Sequence, residues 1–235
     1  MATRYRWYSV DFGKLGLEQV ATLLAAHSLK DDSDRGFLLV ERTTGYASFK
    51  FFARTTVVVT DVDTEGNTAY SQVETLGVSS FSITSIEGVT LLRSENPGKT
   101  LRILFNAIGQ IVGLGFTVTP VIFEKYAPKG FLRSLTTHRL VNLKVRGTIP
   151  GTSLYASMEF DSREGLIAEQ LPLPRDFEYQ VVQAVYDIQH KLIKGQVGYF
   201  ANGTVRVAGE LSLRLVELVE EELARLKRRA NLFRP

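Results

Sequence analysis

Five residues near the middle of the chain, Asn96-Pro97-Gly98-Lys99-Thr100, are the first candidates for chemistry, because Gly-Lys-Thr is how a phosphate-binding loop ends. Such a loop also needs a glycine five residues before its Gly-Lys, so that backbone N–H groups can wrap the phosphates. Arg93 stands there, followed by Ser94, Glu95 and Pro97, which put an acid and an imino acid where donors should point inward. The letters read better as the start of a helix, with Asn96 as cap and Pro97 as first helical residue. Leu101, Leu104, Phe105, Ile108 and Val112 then fall on one apolar face. No nucleotide is expected at this place.

Other chemistries fail in specific ways. The chain has no cysteine, which removes disulfides, thiolate metal sites and cysteine nucleophiles. Its three histidines, His27, His138 and His190, lie far apart in sequence, so no two share a helical turn. Asp61, Asp63, Glu65 and Gly66 imitate the opening of a calcium loop, but Gln72 occupies the position of the bidentate glutamate. There is no G-x-S-x-G elbow. Gly113-Leu114-Gly115 follows a predicted helix and precedes a strand, the reverse of the dinucleotide-binding order. Neither a catalytic residue, a metal ligand nor a cofactor is assigned. A metal-dependent nuclease remains as an alternative only if carboxylates such as Asp11, Asp61, Glu87, Glu159 and Asp161 meet across separate elements.

Two groupings of residues stand out. Between Lys125 and Arg146 there is no acid, while Lys125, Lys129, Arg133, Arg139, Lys144 and Arg146 are basic and Tyr126 and Phe131 are interleaved. Cations on one strand face with aromatic neighbours suit the phosphates of DNA or RNA, read without regard to base order. In the last helix, Val216, Val219, Leu223 and Leu226 repeat at helical spacing. This stripe either covers the sheet or forms an interface with another subunit. Glu217, Glu220, Glu221 and Glu222 early in that helix and Arg225, Lys227, Arg228 and Arg229 late in it match the helix dipole.

The elements that must position these residues are mostly strands. Residues 36–52 offer two strands around Thr43-Thr44-Gly45, and 54–62 continue with β-branched residues; alternation between apolar and polar residues runs through 68–76, 79–86, 141–146 and 153–162, and Asn202-Gly203 between β-prone flanks predicts a tight hairpin. Helices are expected near 15–29, 96–112, 175–193 and 211–230. The expected class is α+β: a mainly antiparallel sheet with about four packed helices, pseudo-duplicated as lobes 1–113 and 114–235.

A net charge of +3, with no apolar segment of membrane-spanning length, points to a cytoplasmic protein without a membrane partner. The functional expectation is a non-enzymatic, oligomeric nucleic-acid-binding protein. The alternative from another class is a structural or adaptor subunit of a protein assembly, for example in bacterial defence or in a phage.

Overall fold

A computed structural model describes residues 2–30, 32–62, 64–98, 100–123, 137–167, 170–174 and 176–232. In chain order the elements are β1 (Thr3–Phe12), α1 (Leu17–Ala26), β2 (Arg35–Thr43), β3 (Tyr46–Val62), β4 (Thr68–Ile86), β5 (Val89–Glu95) and α2 (Leu101–Val112). There follow β6 (Phe116–Pro120), β7 (Thr137–Thr148), β8 (Tyr155–Asp161), β9 (Tyr179–His190), β10 (Ile193–Phe200), β11 (Thr204–Gly209) and α3 (Ser212–Leu232). Two compact units divide these elements. One comprises Met1–Ser9, Ile86–Leu91 and Thr119–Pro235; the other comprises Val10–Ser85 and Leu92–Val118.

The expectation of about four packed helices is overturned: among the described residues there are eleven strands and three helices. The fourth expected helix, 175–193, is strand β9, paired antiparallel with both β10 and β7. Val181, Val185 and Ile188 fit a helical face, but Ala184, Tyr186 and Ile188 fit a strand face equally well, and those are the three that are buried. Valine, isoleucine and tyrosine favour the pleated conformation, and two flanking strands supply backbone partners on both sides. A second correction concerns α2. Its cap is Thr100 rather than Asn96, which takes φ 44°, and the helix starts at Leu101.

In the larger unit the strand order is β1-β11-β10-β9-β7-β8. Alternate residues bury one face of this sheet: Trp7, Val205, Val207, Val197, Tyr199, Ala184, Tyr186, Ile188, Leu143 and Val145. The long helix α3 covers that face with Leu211, Leu215, Val216, Val219 and Leu223. The helix enters close to the sheet because β10 carries Gly195 there. A Cβ at this position would lie 3.0 Å from Leu211 Cβ and 3.1 Å from Leu215 Cδ1. The expected hairpin is present between β10 and β11, with Gly203 at φ 84°.

In the smaller unit, α1 and α2 pack together and α1 lies against β2 and β3. The strands supply an aromatic group, Phe37, Phe49, Phe51 and Phe81, with Phe49 and Phe81 stacked at 5.3 Å. Val20, Leu24, Leu104 and Ile108 come from the helices and are fully buried. β3 and β4 are the longest strands, 17 and 19 residues, and they pair without a break from Tyr46↔Thr84 to Val62↔Thr68.

Candidate functional site

The face of the larger sheet opposite α3 is polar, and it holds the basic residues that the sequence singled out on β7. Register places Lys144 beside Glu159 of β8 and Gln183 of β9, and Arg139 beside Asp187. Lys144 Nζ donates to Glu159 Oε2 at 3.1 Å, and Arg139 Nη2 reaches Asp187 Oδ2 at 3.3 Å. Asn142 extends the network, donating to Glu159 and Asp161 and accepting from Gln183. These donors hold the Glu159 carboxyl below the usual range: the Asn142 hydrogen bond is the largest cause, followed by the hydrogen bond from Lys144 and its charge. Arg146 is exposed and forms no ion pair among the described residues. Lys125, Lys129 and Arg133 lie outside the described residues. Acids on the neighbouring strands, absent from the 125–146 segment itself, thus neutralise two of the three described cations.

The stripe on α3 is placed inside the chain. Val216, Val219 and Leu223 are buried in the core, while Leu226 is exposed. The same helix brings two acids into the protein. Glu220 accepts from Trp7 Nε1 at 3.1 Å, and Glu222 holds Arg225, whose Nε donates to it at 2.8 Å. That hydrogen bond raises the Arg225 pKa, and burial pushes the Tyr199 hydroxyl well above its ordinary value. Among the described residues no three of His, Asp and Glu come together to hold a metal.

A feature to which sequence reasoning gave no function lies in the smaller unit. Pairing with β2 ends where Arg54 N–H donates to Asp34 C=O. β5, only 7 residues long, accompanies only part of β4. Among the described residues, 55–62 and the facing part of β4 therefore form a two-stranded ribbon without a third strand. Both of its faces carry exposed apolar side chains among polar ones: Val57 and Val73 face one way, Val58, Val62 and Tyr70 the other, with exposures from 44% to 74%. Thr55 and Thr75 join across it through their hydroxyls at 3.0 Å. In the sequence the signal was the run Thr55-Thr56-Val57-Val58-Val59-Thr60, which is indistinguishable locally from a buried strand.

No family model matches the chain, and no curated protein is similar to it.

Proposed function

We propose that this protein is a non-enzymatic structural subunit that self-associates by pairing the free edge of β3 with the same edge of a second copy. The observation that carries the reading is the exposed ribbon 55–62/68–75, with exposed valines on both faces. A lone two-stranded ribbon is at best marginal in water, and an open apolar strand edge is a template for strand addition.

The edge is self-complementary. Because Arg54 N–H points toward β2, alternation points the N–H and C=O of Thr56, Val58, Thr60 and Val62 to the same side, which no strand among the described residues occupies. Two antiparallel copies about a two-fold axis at Val58 set Val58 opposite Val58, Val57 opposite Val59 and Thr56 opposite Thr60. About six backbone hydrogen bonds would join them. Charge also favours a protein partner over a polyanion here, since Arg54 stands against Asp61, Asp63, Glu65 and Glu74 in this hairpin. The nucleic-acid reading of β7 is less well supported, because Lys144 and Arg139 already spend their charges on Glu159 and Asp187.

The absence of cysteine gives a clean test. Val57 and Val59 of opposite copies would form a non-hydrogen-bonded pair with Cα atoms about 4.5 Å apart, within disulfide reach. The double variant V57C/V59C is expected to oxidise to a covalent dimer, and V57C or V59C alone is not. A double variant that stays monomeric under oxidation, with its ribbon folded, refutes the reading.

A further inference from the structure

In the smaller unit, α1 packs on one face of β2 and β3, the face into which Phe37, Phe49, Phe51 and Phe81 are buried. Alternation turns Leu38, Phe52, Leu76 and Val78 to the other face. Register sets Leu38 beside Lys50, Phe52 beside Val78, and Arg54 beside Leu76. An antiparallel sheet whose second face meets water normally carries polar residues there. Here Leu38, Leu76 and Val78 are 52%, 50% and 53% exposed, and Phe52 is half-buried among them. Contiguous apolar side chains left in water mark an interaction surface.

Two cations of β3 frame this patch. Lys50 is exposed and forms no ion pair among the described residues. Arg54 approaches Glu74 only to 3.9 Å, too far for a hydrogen bond, and its Nε is buried with no acceptor among the described residues. A second copy laid face to face about a central two-fold axis would put β3, the middle strand, over β3. Lys50 would then lie over Lys50 or over Arg54, like charge against like. An anionic lipid surface is disfavoured by Glu74 on the same face and by Asp61 further along the ribbon. What fits is an apolar stripe flanked by acids, and a helix supplies both. Lys50 and Arg54 stand about 13 Å apart along the strand. Acids two turns apart on one side of a helix stand about 11 Å apart, a difference that long side chains span. Such a helix would also cover the open face of the sheet, as helices cover both faces in layered folds.

We propose that this face docks an acidic amphipathic helix of a partner protein, its apolar stripe on Leu38, Phe52, Leu76 and Val78 and its acids on Lys50 and Arg54. The surface is separate from the β3 edge of the proposed dimer, because it uses side chains on the face of the sheet rather than backbone groups at its border.

The test is anisotropy of a labelled synthetic peptide with leucines at i, i+3, i+4 and i+7 and glutamates beside that stripe, against a copy with lysine at every glutamate. The glutamate peptide should bind saturably and more weakly as salt rises, and the lysine copy should not bind. Lys50→Gln and Arg54→Gln should each lower affinity about two- to fivefold, the scale of an exposed ion pair. Val78→Asp should lower it at least about tenfold, as loss of a central apolar contact does. Lys50→Glu with Arg54→Glu should reverse the preference, so that the lysine copy binds. Lys144→Gln, in the larger unit, should leave binding as it was. Circular dichroism and a melting curve for each variant confirm that the fold is kept, and the charge reversal changes side chains that are at least partly exposed.

Absence of binding up to about 1 mM, the weak end of specific recognition, overturns the proposal. Equal binding of the two peptides, or a charge reversal that leaves their order unchanged, also overturns it. Sedimentation of the protein with vesicles of phosphatidylcholine and phosphatidylserine that Lys50→Glu abolishes gives the face to a membrane instead. Val58→Pro, which is designed to weaken the dimer, should bind the glutamate peptide as the wild type does. A peptide that binds the wild type and not Val58→Pro belongs to the ribbon, and the docking face is then refuted.

Discussion

Proline at position 58 perturbs the ribbon edge with little else attached. In β3 the N–H groups of Thr56, Val58 and Thr60 point away from β4, so Val58→Pro removes no hydrogen bond among the described residues, and proline is tolerated on such an edge. In the paired dimer Val58 meets its own copy, and the two N–H groups lost are two of about six joining the subunits. At about 0.5–1.5 kcal/mol for each hydrogen bond, the loss is about 1–3 kcal/mol. Each proline ring also stands where the opposite carbonyl should approach, so the upper end of that range is the better guide. A loss of about 3 kcal/mol corresponds to a dissociation constant raised roughly 150-fold. Sedimentation equilibrium across a concentration series measures it, with circular dichroism confirming that the strand content is kept. Val57→Pro is the control with the opposite logic: its N–H points to β4, so it damages the ribbon itself. A wild type that stays monomeric at several hundred micromolar, or a Val58→Pro variant with an unchanged dissociation constant, refutes the edge-pairing reasoning.

Other consequences follow from single contacts. Glu220→Ala leaves the buried Trp7 N–H without its acceptor and should cost about 1–3 kcal/mol, whereas Glu220→Gln keeps an acceptor and costs less. Because Trp7 is the sole tryptophan, its fluorescence reports that site directly alongside the melting curve. Leu223→Asp places an unpaired charge in the core under α3 and should cost several kcal/mol in denaturant unfolding. Glu159, whose pKa is depressed by Asn142 and Lys144, contributes stability that is present above the unfolded carboxylate range. That contribution is lost as pH falls through its lowered folded value, and Glu159→Gln should flatten the acid limb of a stability–pH curve.

Local chemistry made some elements legible and left others hidden. Asn202-Gly203 marked the β10–β11 turn because positive φ is costly for most residues, and the alternation of Leu143 and Val145 with Lys144 and Arg146 marked β7. Residues 179–190 were read with the wrong period because Ile188 satisfies both patterns, and the partners that decide it, β10 and β7, are not local. The same limit applies to charge. The acid-free run 125–146 looked like an uncompensated track, yet Glu159 and Asp187 reach Lys144 and Arg139 across strand pairs. Conversely, Arg4 and Arg206 come from opposite ends of the chain, and only sheet register makes them neighbours. The exposure of Val57, Val58 and Val59 was equally unreadable, because a valine-rich strand does not encode whether another layer covers it.

A ribbon with two open edges should polymerise unless one edge is guarded, and the residues of β4 supply a guard. If the outer edge of β4 paired with itself about Val73, Val73 would face Val73, but Gln72 would face Glu74 and Tyr70 would face Leu76, a poorer match than the valines and threonines about Val58. Pairing about Glu74 would set two carboxylates opposite each other, which is repulsive. A matched β3 edge and a charged β4 edge together favour a closed two-fold dimer over an open stack. Glu74→Val removes that guard. Within the chain it also removes the 3.9 Å pair with Arg54, an exposed contact worth at most about 1 kcal/mol, so the fold should survive. The variant is expected to pass from dimers to larger assemblies with rising concentration, seen as growing light scattering and thioflavin fluorescence. Combining it with Val58→Pro should then give a dimer through the β4 edge alone. If Glu74→Val stays dimeric at every concentration at which the wild type does, the charge on β4 does not limit assembly, and the proposed closure of the dimer loses this argument.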